Sequence, residues 1–579
     1  NIKSKKILCL LIFCNLFMSM GAVSAFDTLG HQHNQELLNT HNKSNNISVI
    51  NQQTPQNNKS TKNILDTNTV GTFKELNEKI QDSIKNHQQT VELDKNYYYD
   101  EKEDNDLKNG IIIDENIIIE GNNHIIDGSG IARAFQTPSN ASSIHITIKD
   151  ITFEKTKSDN GGAIYFKGME CILSNCHFIH SNAESLGGAV YSYNGALNIE
   201  HTEFTENTAH ESGGAIYSNK DITLNDCSFF NNIASENNGG SIYFKYNYGH
   251  TEININQCLF RINKAKEDGG AVYCEDDGNT SAYIRSSTFD ENSCNGAKTS
   301  QCEGGAVYYN GHIDIKNSTF TNNKAEDYGG AMYSKTCLLN DCTFNNNTAS
   351  DNDGGAVYCE GGMGIHNCYF NENKAYEDGG AICCYSHPIE IESIEITNSK
   401  FDKNSCNGAK IAQCEGGAIY CSESKNLEIN TCTFTNNHAY DYGGAIYAET
   451  SRINIEQSIL FNNYVSDNDG GAVYLNNWGN SYLFLSHNNI SSNYAAGKGG
   501  GIYSDVDYSY TYLSNNNLVN NSCGSNKGSV VYTDGYFNEI NNNWWGTPTP
   551  NWDSGLLWEN TFWSHNIHHD DCPRTKPCS

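Results

Sequence analysis

The sequence of 579 residues predicts an all-β fold, a parallel β-helix in which the chain winds through stacked coils. The first observation is a pentapeptide, Gly-Gly-Ala-Ile-Tyr at residues 161–165, which returns with small variations at intervals of 25 to 37 residues. The second is an apolar residue with Asn three positions later, as in Phe204 and Asn207. The third is the alternation of apolar and polar residues between these two motifs. Self-similarity of this kind is typical of a repeat architecture, here of about 15 to 16 coils.

Each repeat contains the residues of three short strands. In one repeat, apolar and polar residues alternate over 222–224 and 227–229, and Asn225 and Asp226 supply the turn between them. A period of two indicates strands, and turn residues between two such runs indicate a corner. The Gly-Gly pair begins a third strand, because glycine adopts the positive φ that a tight bend requires. Without a helical stripe or a leucine framework, three strands per repeat predict one coil of a β-helix.

Stacked coils place equivalent residues in columns, because neighbouring strands lie about 4.8 Å apart. We expect the Phe column to lie in the core and the Asn column to form a ladder of amide hydrogen bonds at a corner. In the Gly-Gly strand, Ile164 and the residue after Tyr, such as Phe166, are expected to point inward. Ala163 and Tyr165 would then point outward; the alternative is that Ala and Tyr together line an interior.

The tyrosine column is the predicted ligand-binding surface. Outward-facing rings in register would form a stacked aromatic strip flanked by acidic residues, which suits contacts with sugars or proteins. The alternative is that stacking only stiffens the sheet. The tyrosines predicted to bind a ligand are Tyr191, Tyr217, Tyr308, Tyr333, Tyr358, Tyr420, Tyr447 and Tyr474.

These motifs resemble those of known surface proteins. Gly-Gly-Ala-[Ile/Val] paired with Phe-x-x-Asn is similar to the repeat pair of the polymorphic outer-membrane proteins of chlamydiae. Over roughly residues 70–550, the chain resembles the adhesin-like, Asn-rich surface proteins of methanogenic archaea. The resemblance implies a right-handed β-helix of the pectin lyase fold on or outside the cell surface. It leaves the identity of the ligand open.

Four segments follow one another along the chain. Residues 1–25 predict a signal peptide, because lysines precede an apolar run and small residues follow it; an uncleaved N-terminal anchor is the alternative. Residues 26–70 are rich in Asn, Gln, Thr and Ser and predict a disordered polar linker. Residues 71–535 form the predicted β-helix with its N-terminal cap, and residues 536–579 form a Trp-rich C-terminal cap or tail.

Both ends of the β-helix carry predicted caps. Phe73, Leu76 and Ile80 recur at helical spacing after Thr72, a residue type that favours the N-cap position. We therefore expect a short amphipathic helix that shields the first coil. At the other end, most of the Trp residues lie within 544–563. A cap over the last coil is the expected role of this segment, and an aromatic binding tail is the alternative.

The charge restricts the class of partner. The chain carries 68 acidic and 37 basic residues, a formal net charge of −31. Nucleic acid is not an expected partner, because phosphate binding needs clustered Lys and Arg. Solubility of an exposed surface accounts for the acidity. No long apolar run follows the predicted signal peptide, so we expect a secreted or cell-surface protein without a transmembrane anchor.

The cysteines beyond the signal peptide fit an oxidising exterior and include two informative groups. In the first group, each cysteine lies two positions before the column Phe, and we expect these cysteines to be buried as small apolar side chains. They are Cys176, Cys227, Cys258, Cys342, Cys368 and Cys432. Cys294 with Cys302, and Cys406 with Cys414, are each eight residues apart in matching corner loops. We predict a disulfide in each of these two loops.

The repeats themselves are duplicated. Residues 289–309 return almost unchanged at 401–421, so a block of four coils has been copied. Such a history favours extension of a surface over the assembly of one unique catalytic site.

Acidic residues in the turns before Gly-Gly could bind calcium, which prefers several oxygen ligands. The best candidates are Asp351, Asp353, Asp467 and Asp469, although no complete calcium-binding loop is present. Solvated turns without a metal are the alternative. No other cofactor is expected.

The sequence therefore predicts a non-catalytic, adhesin-like protein that binds glycans or proteins of other cell surfaces through the face of its solenoid. Many similar weak contacts would supply avidity without a unique pocket. The alternative is a pectate-lyase-like polysaccharide lyase or hydrolase, which needs one convergent cluster of carboxylates. The acidic residues recur from coil to coil instead, so we do not expect an enzyme.

Overall fold

The computed structural model describes residues 70–546 and 557–559, with short gaps. The gaps within the first range are 247–248, 277, 279, 297–300, 386–392, 409–412, 477–480, 506–508, 526 and 535. The predicted signal peptide lies outside the described residues, as do nearly all of the linker and most of the C-terminal tail.

The described chain is a parallel β-helix of about sixteen coils with very little helix, which confirms the predicted fold class. Each regular coil contains four strands, which we name the tyrosine, middle, phenylalanine and short strands. Every pairing between the described strands is parallel, and each strand pairs with its equivalents in the coils before and after it.

In the regular coils the tyrosine strands follow the Gly-Gly pairs, and Ile111–Ile112, Phe135–Gln136 and Leu557–Glu559 extend the same face at its two ends. Their bounds are Ile111–Ile112, Phe135–Gln136, Ile164–Phe166, Val190–Ser192, Ile216–Ser218, Ile242–Lys245, Val272–Glu275, Val307–Lys316, Met332–Asn340, Val357–Cys359, Ile382–Tyr385, Ile419–Ser422, Ile446–Glu449, Val473–Asn476, Ile502–Asp505, Val531–Thr533 and Leu557–Glu559. In two coils, 307–316 and 332–340, the tyrosine strand continues into the middle strand.

The middle and phenylalanine strands form the next two faces of the coil. The middle strands are Thr90–Glu92, Glu170–Ser174, Ala196–Glu200, Ile222–Asn225, Thr251–Asn256, Thr280–Arg285, Met363–His366, Ser393–Thr397, Asn426–Asn430, Arg452–Glu456, Ser481–Ser486, Ser509–Ser514 and Tyr536–Asn541. The phenylalanine strands are Val70–Thr72, Asn96–Tyr98, His177–Ile179, Glu203–Thr205, Ser228–Phe230, Leu259–Arg261, Thr288–Asp290, Thr319–Thr321, Thr343–Asn345, Tyr369–Asn371, Lys400–Asp402, Thr433–Thr435, Ile459–Phe461, Asn489–Ser491 and Asn517–Val519. Ile117–Asp127 and His145–Glu154 span both faces.

The short strands are a feature that the sequence did not predict. They are Lys157–Ser158, Asn182–Ala183, Thr208–Ala209, Ile233–Ala234, Lys264–Ala265, Ser293–Cys294, Lys324–Ala325, Thr348–Ala349, Lys374–Ala375, Ser405–Cys406, His438–Ala439, Tyr464–Val465, Tyr494–Ala495 and Ser522–Cys523. These two-residue segments form their own sheet of 14 strands, so the Asn corner of each coil is a fourth strand rather than a plain turn.

Both glycines of the Gly-Gly pair are required, for different reasons. The first one adopts a left-handed conformation, as at Gly187 with φ +62°. This confirms the predicted bend. A Cβ on the second glycine, Gly188, would lie 2.0 Å from the carbonyl oxygen of Gly214 in the next coil. Side chains are therefore excluded here by the close stacking of the coils.

The Asn column forms the predicted amide ladder. The Nδ2 group of Asn323 donates to Oδ1 of Asn347 in the next coil at 3.0 Å and to the carbonyl of Phe289 in the previous coil at 2.9 Å. Its Oδ1 accepts the backbone N–H and the Nδ2 group of Asn292. Each amide is thus fully hydrogen-bonded although it is completely buried.

One predicted direction is wrong. Ala163, expected to point outward, is fully buried in the main core. The backbone N–H groups of Ala163 and Ile164 both donate to the carbonyl of Ala189, at 2.9 and 3.0 Å. Two successive residues bonded to one carbonyl interrupt the strand alternation, so both side chains face the core.

The N-terminal cap is the helix Phe73–Lys85, as predicted. Thr72 is its N-cap and forms a reciprocal capping box with Glu75, and the buried carboxylate of Asp104 accepts the N–H groups of the first helical turn. The helix buries Phe73, Leu76 and Ile80 in the same core as the coils. A 3-10 turn at Asn105–Leu107 is the other helical element described.

The columns of the core contain the predicted Phe and Cys side chains. Successive Phe rings from Phe153 to Phe434 stack with centroids 4.6 to 4.8 Å apart. The six cysteines two residues before the column Phe are buried and free, which confirms the predicted burial. Near the C-terminal end of the described chain, the bridge between Asn517 and Trp544 places the buried Trp545 over Leu518, in the Phe column.

Candidate functional site

The tyrosine column lies outside the main core and forms what we call the tyrosine strip. Its rings stack with centroids 4.7 to 5.7 Å apart, from Tyr165 to Tyr358 and again from Tyr420 to Tyr532. All eight tyrosines predicted to bind a ligand belong to this strip. Cys383 takes the tyrosine position in the coil between Tyr358 and Tyr420, so the stack is divided into two parts.

The strip is less exposed than the sequence suggested. Tyr447 and Tyr474 are only 2% and 4% exposed, because neighbouring rings cover their faces. Tyr442 adds to this cover, with its ring centroid 4.6 Å from that of Tyr474. A ligand would therefore reach mainly ring edges and hydroxyl groups, together with the acidic residues beside them.

A row of carboxylates that we call the outer acids lies two positions after the tyrosine in several coils. They are Glu275, Glu360, Glu449, Asp505 and Asp534. Tyrosine hydroxyls donate to them along the strip. The Tyr243 hydroxyl donates to Glu275 at 2.9 Å, and that of Tyr474 donates to Asp505 at 2.8 Å. This pattern fixes the tyrosine hydroxyls and leaves electron-rich rings beside negative charge.

A second row, the inner acids, immediately precedes the Gly-Gly pairs. The inner acids are Asp268, Glu303, Asp353, Asp378, Glu415 and Asp469. The aspartates among them accept backbone N–H groups from the next coil: Asp353 accepts from Asp378, and Asp378 accepts from Glu415, each at 2.8 Å. These bonds place carboxylates of adjacent coils close together.

Burial raises the pKa of the inner acids. It raises the pKa of Glu303 and of Glu415 to about 8, and neighbouring carboxylates add to both shifts. The pKa of Asp378 rises to about 9, first through burial and then through Asp353 and Glu415. Carboxyl groups with such values hold protons near neutral pH.

The two acidic rows and the strip enclose a cavity of about 440 Å³, which we call the groove. It is lined by Tyr385, Gln413, Glu415, Tyr420, Ser422, Glu423, Tyr442, Tyr447, Glu449, Tyr474, Asn476 and Asp505. None of the lining residues that the structure describes is Lys, Arg or His. The groove is therefore an aromatic site with carboxylates and no positive charge of its own among its lining residues.

Glu449 is the most firmly held carboxylate of the groove. It accepts hydrogen bonds from the Ser422 hydroxyl at 2.9 Å, from the Tyr447 hydroxyl at 2.8 Å and from the Asn476 amide at 3.0 Å. Neutral donors from three coils thus orient the side chain of Glu449 in the cavity.

The aspartates predicted to bind calcium do not form a cluster. Asp351 and Asp467 are exposed, whereas Asp353 and Asp469 accept backbone N–H groups of the next coil as inner acids. Within the described ranges, no group of three or more acidic, His or Cys side chains is placed to hold a metal ion.

Both cysteine pairs in the corner loops form disulfides in the structure. The Cα atoms of Cys294 and Cys302 are 5.6 Å apart, and those of Cys406 and Cys414 are 5.5 Å apart. The second bridge is next to the groove, because Cys414 directly precedes Glu415. The backbone N–H of Cys414 also donates to the carboxylate of Asp441 at 3.1 Å.

Sequence reasoning identified the tyrosines but missed the carboxylates that make the groove. Glu415, Glu449 and Asp505 were not singled out, although each holds a fixed position relative to Gly-Gly or to the column tyrosine. These residues could have been found by aligning the repeats and comparing two positions, the one directly before Gly-Gly and the one two residues after the tyrosine.

Comparison with known proteins supports the repeat assignment. The Chlamydia polymorphic membrane protein (Chlamydia_PMP) repeat matches residues 201–219, 341–360, 367–385 and 431–449. No curated protein and no solved structure gives a significant match. In the described part of the chain, no helix is long and apolar enough to cross a membrane.

Proposed function

We propose that this protein is a secreted or cell-surface, non-catalytic adhesin that binds glycans or proteins of other surfaces through the tyrosine strip. The polymorphic membrane protein repeats and the β-helix fit a surface protein. The observation that carries the proposal is the groove, in which Tyr420, Tyr447 and Tyr474 of successive coils lie beside two rows of carboxylates. Carboxylates accept hydrogen bonds from sugar hydroxyls and pair with basic side chains, and tyrosine supplies contact area at low entropic cost.

The test is binding of the purified full chain to glycan and protein arrays. Tyr420→Ala and Tyr474→Ala should each weaken binding by about threefold to tenfold, because the contacts are spread over several coils. Tyr376→Ala is the matched control, since Tyr376 is 39% exposed and lies outside the strip. Circular dichroism should show that all three variants remain folded. Equal binding by all four proteins would contradict the proposal.

One observation keeps a glycan-cleaving enzyme as the second candidate. Glu415, whose pKa burial raises to about 8, lies near Glu449, and both approach the Tyr447 hydroxyl. A neutral carboxyl group beside an ionised one can serve as general acid and base. Incubation with acidic polysaccharides, with and without calcium, would reveal products. Product formation that is abolished by Glu415→Gln but not by Glu395→Gln, at an exposed strand position, would establish the enzyme and overturn the adhesin.

A further inference from the structure

We infer that the groove binds the alkylammonium groups of a lysine-rich segment on a partner protein. The inference rests on the proposed binding function and names the chemistry of the partner. The groove combines the ring edges of the strip with carboxylates on both sides, and carboxylates are the groups that pair with an ammonium ion. Among the residues described, no ion pair within 4 Å involves Glu415, Glu449 or Asp505, and the charge of Lys498 acts on Asp505 from farther away.

The negative charge of the groove calls for a cation. Glu415 is only 5% exposed, and its charged neighbours are other acidic residues, among them Glu449 and Asp441. Glu415 holds a proton near neutral pH for this reason, and a positive charge brought beside it would stabilise its ionised form. Neutral donors already occupy some of the lone pairs of the Glu449 carboxylate. The remaining lone pairs of Glu449 and those of Glu415 can accept hydrogen bonds from one ammonium ion.

The same strip already holds cations at its two ends. Near the C-terminal end, the Lys498 ammonium group lies 5.5 Å from the ring centroid of Tyr503 and 4.5 Å from that of Tyr532. Near the N-terminal end, the Arg133 guanidinium lies 5.0 Å from the ring of Tyr165. The groove also contains tyrosine rings beside carboxylates, but none of its described lining residues is a cation.

Lys498 also shows where an ammonium group fits. It occupies the position before Gly-Gly that the inner acids occupy elsewhere, and its charge acts on Asp469 and Asp505. Its side chain reaches over the strip toward the Tyr532 hydroxyl at 3.4 Å. A lysine that enters the groove from outside would find equivalent rings and carboxylates one to three coils earlier.

The size of the groove favours several ammonium groups on one chain. Its lining residues come from five successive coils, a span of about 19 Å at a spacing of about 4.8 Å per coil. Carboxylates are distributed along this length, from Glu423 to Asp505. A lysine-rich peptide segment can place successive ammonium groups along such a row, whereas a single small cation would occupy one part of it.

The duplicated block contains a natural comparison. Glu303, Tyr308 and Tyr333 are the counterparts of Glu415, Tyr420 and Tyr447, but the counterpart of Glu449 is Lys335. The first copy therefore carries a lysine where the second copy carries the carboxylate. We expect only the second copy to accept an external ammonium group.

The test measures binding of the full chain to an immobilised lysine-rich peptide, with a glutamate-rich peptide and chitosan oligomers as parallel surfaces. Glu449→Gln and Glu449→Lys should weaken binding to the lysine peptide by about tenfold or more, because each removes the carboxylate that would pair with an ammonium group. Glu395→Lys is the control for Glu449→Lys, because it makes the same change in net charge at an exposed position. It should change the affinity for the lysine peptide less than twofold. Lys335→Glu should create a second binding site.

Coupling chemistry locates the site independently. A carbodiimide joins a lysine amine to a carboxylate only where the two groups touch, so mass spectrometry should find the peptide on Glu415, Glu423, Glu449 or Asp505. Equal loss of binding in Glu449→Lys and Glu395→Lys would overturn the inference as unspecific charge attraction. Binding of chitosan but not of the lysine peptide would overturn it in favour of an amino sugar. If Glu449→Gln binds the lysine peptide as tightly as the wild type, the inference fails while the adhesin proposal stands; if the wild type binds no surface, both fail.

Discussion

At the scale of single residues, the Asn ladder makes the clearest prediction about stability. Asn323→Ala removes two donated hydrogen bonds and leaves the backbone N–H and Nδ2 of Asn292 without their acceptor in a completely buried site. Unsatisfied buried groups cost about 1–3 kcal/mol each. We expect a loss of about 2–4 kcal/mol in the free energy of unfolding, measured by denaturant titration.

The control for this change is another asparagine of the β-helix. Asn254 lies on the partly exposed side of its strand and donates one long hydrogen bond to Glu252, at 3.4 Å. Asn254→Ala should therefore change the free energy of unfolding by less than about 0.5 kcal/mol. Equal losses in the two variants would show that the ladder does not stabilise the corner.

At the scale of elements, the two disulfide loops should differ in effect. Removing either bridge, by Cys294→Ser with Cys302→Ser or by Cys406→Ser with Cys414→Ser, should cost about 2–3 kcal/mol of stability through loop entropy. Only the second pair should also weaken binding at the groove, because Cys414 precedes Glu415. Array binding and thermal unfolding of the two double variants check this expectation, and non-reducing peptide mapping of the wild type that finds free thiols would refute it.

The repeat explains how much of each element the sequence could predict. Glycine, Phe and Asn recur because each column has one environment, so their roles were predictable from spacing alone. The direction of the Ala163 side chain was not predictable from spacing, because it depends on two backbone N–H groups that share the carbonyl of Ala189. The pairing in the groove was not predicted either, since Glu415 and Glu449 are 34 residues apart in sequence, and the stacking of adjacent coils brings the acid before one Gly-Gly pair close to the acid after the tyrosine of the next coil.

At the scale of the whole molecule, the acidic rows predict how stability depends on pH. The folded-state pKa values of Glu303, Asp378 and Glu415 are raised to about 8 or 9, far above the values of free carboxyl groups near 4. Between pH 7 and 9 the folded state therefore holds protons that the unfolded state has already lost. Stability must fall as pH rises through this window, by up to about 1.4 kcal/mol per pH unit for each proton held.

The melting temperature of the full chain, measured at pH 7, 8 and 9, should therefore decline steadily. The net charge of −31 acts in the same direction, because self-repulsion grows as the last buried carboxyl groups ionise. Asp378→Asn and Glu415→Gln should flatten the decline, since an amide keeps the site neutral at every pH. Glu395→Gln, at an exposed position, should leave it unchanged. A wild-type melting temperature that is constant or rises over this range would show that these groups are already ionised at pH 7.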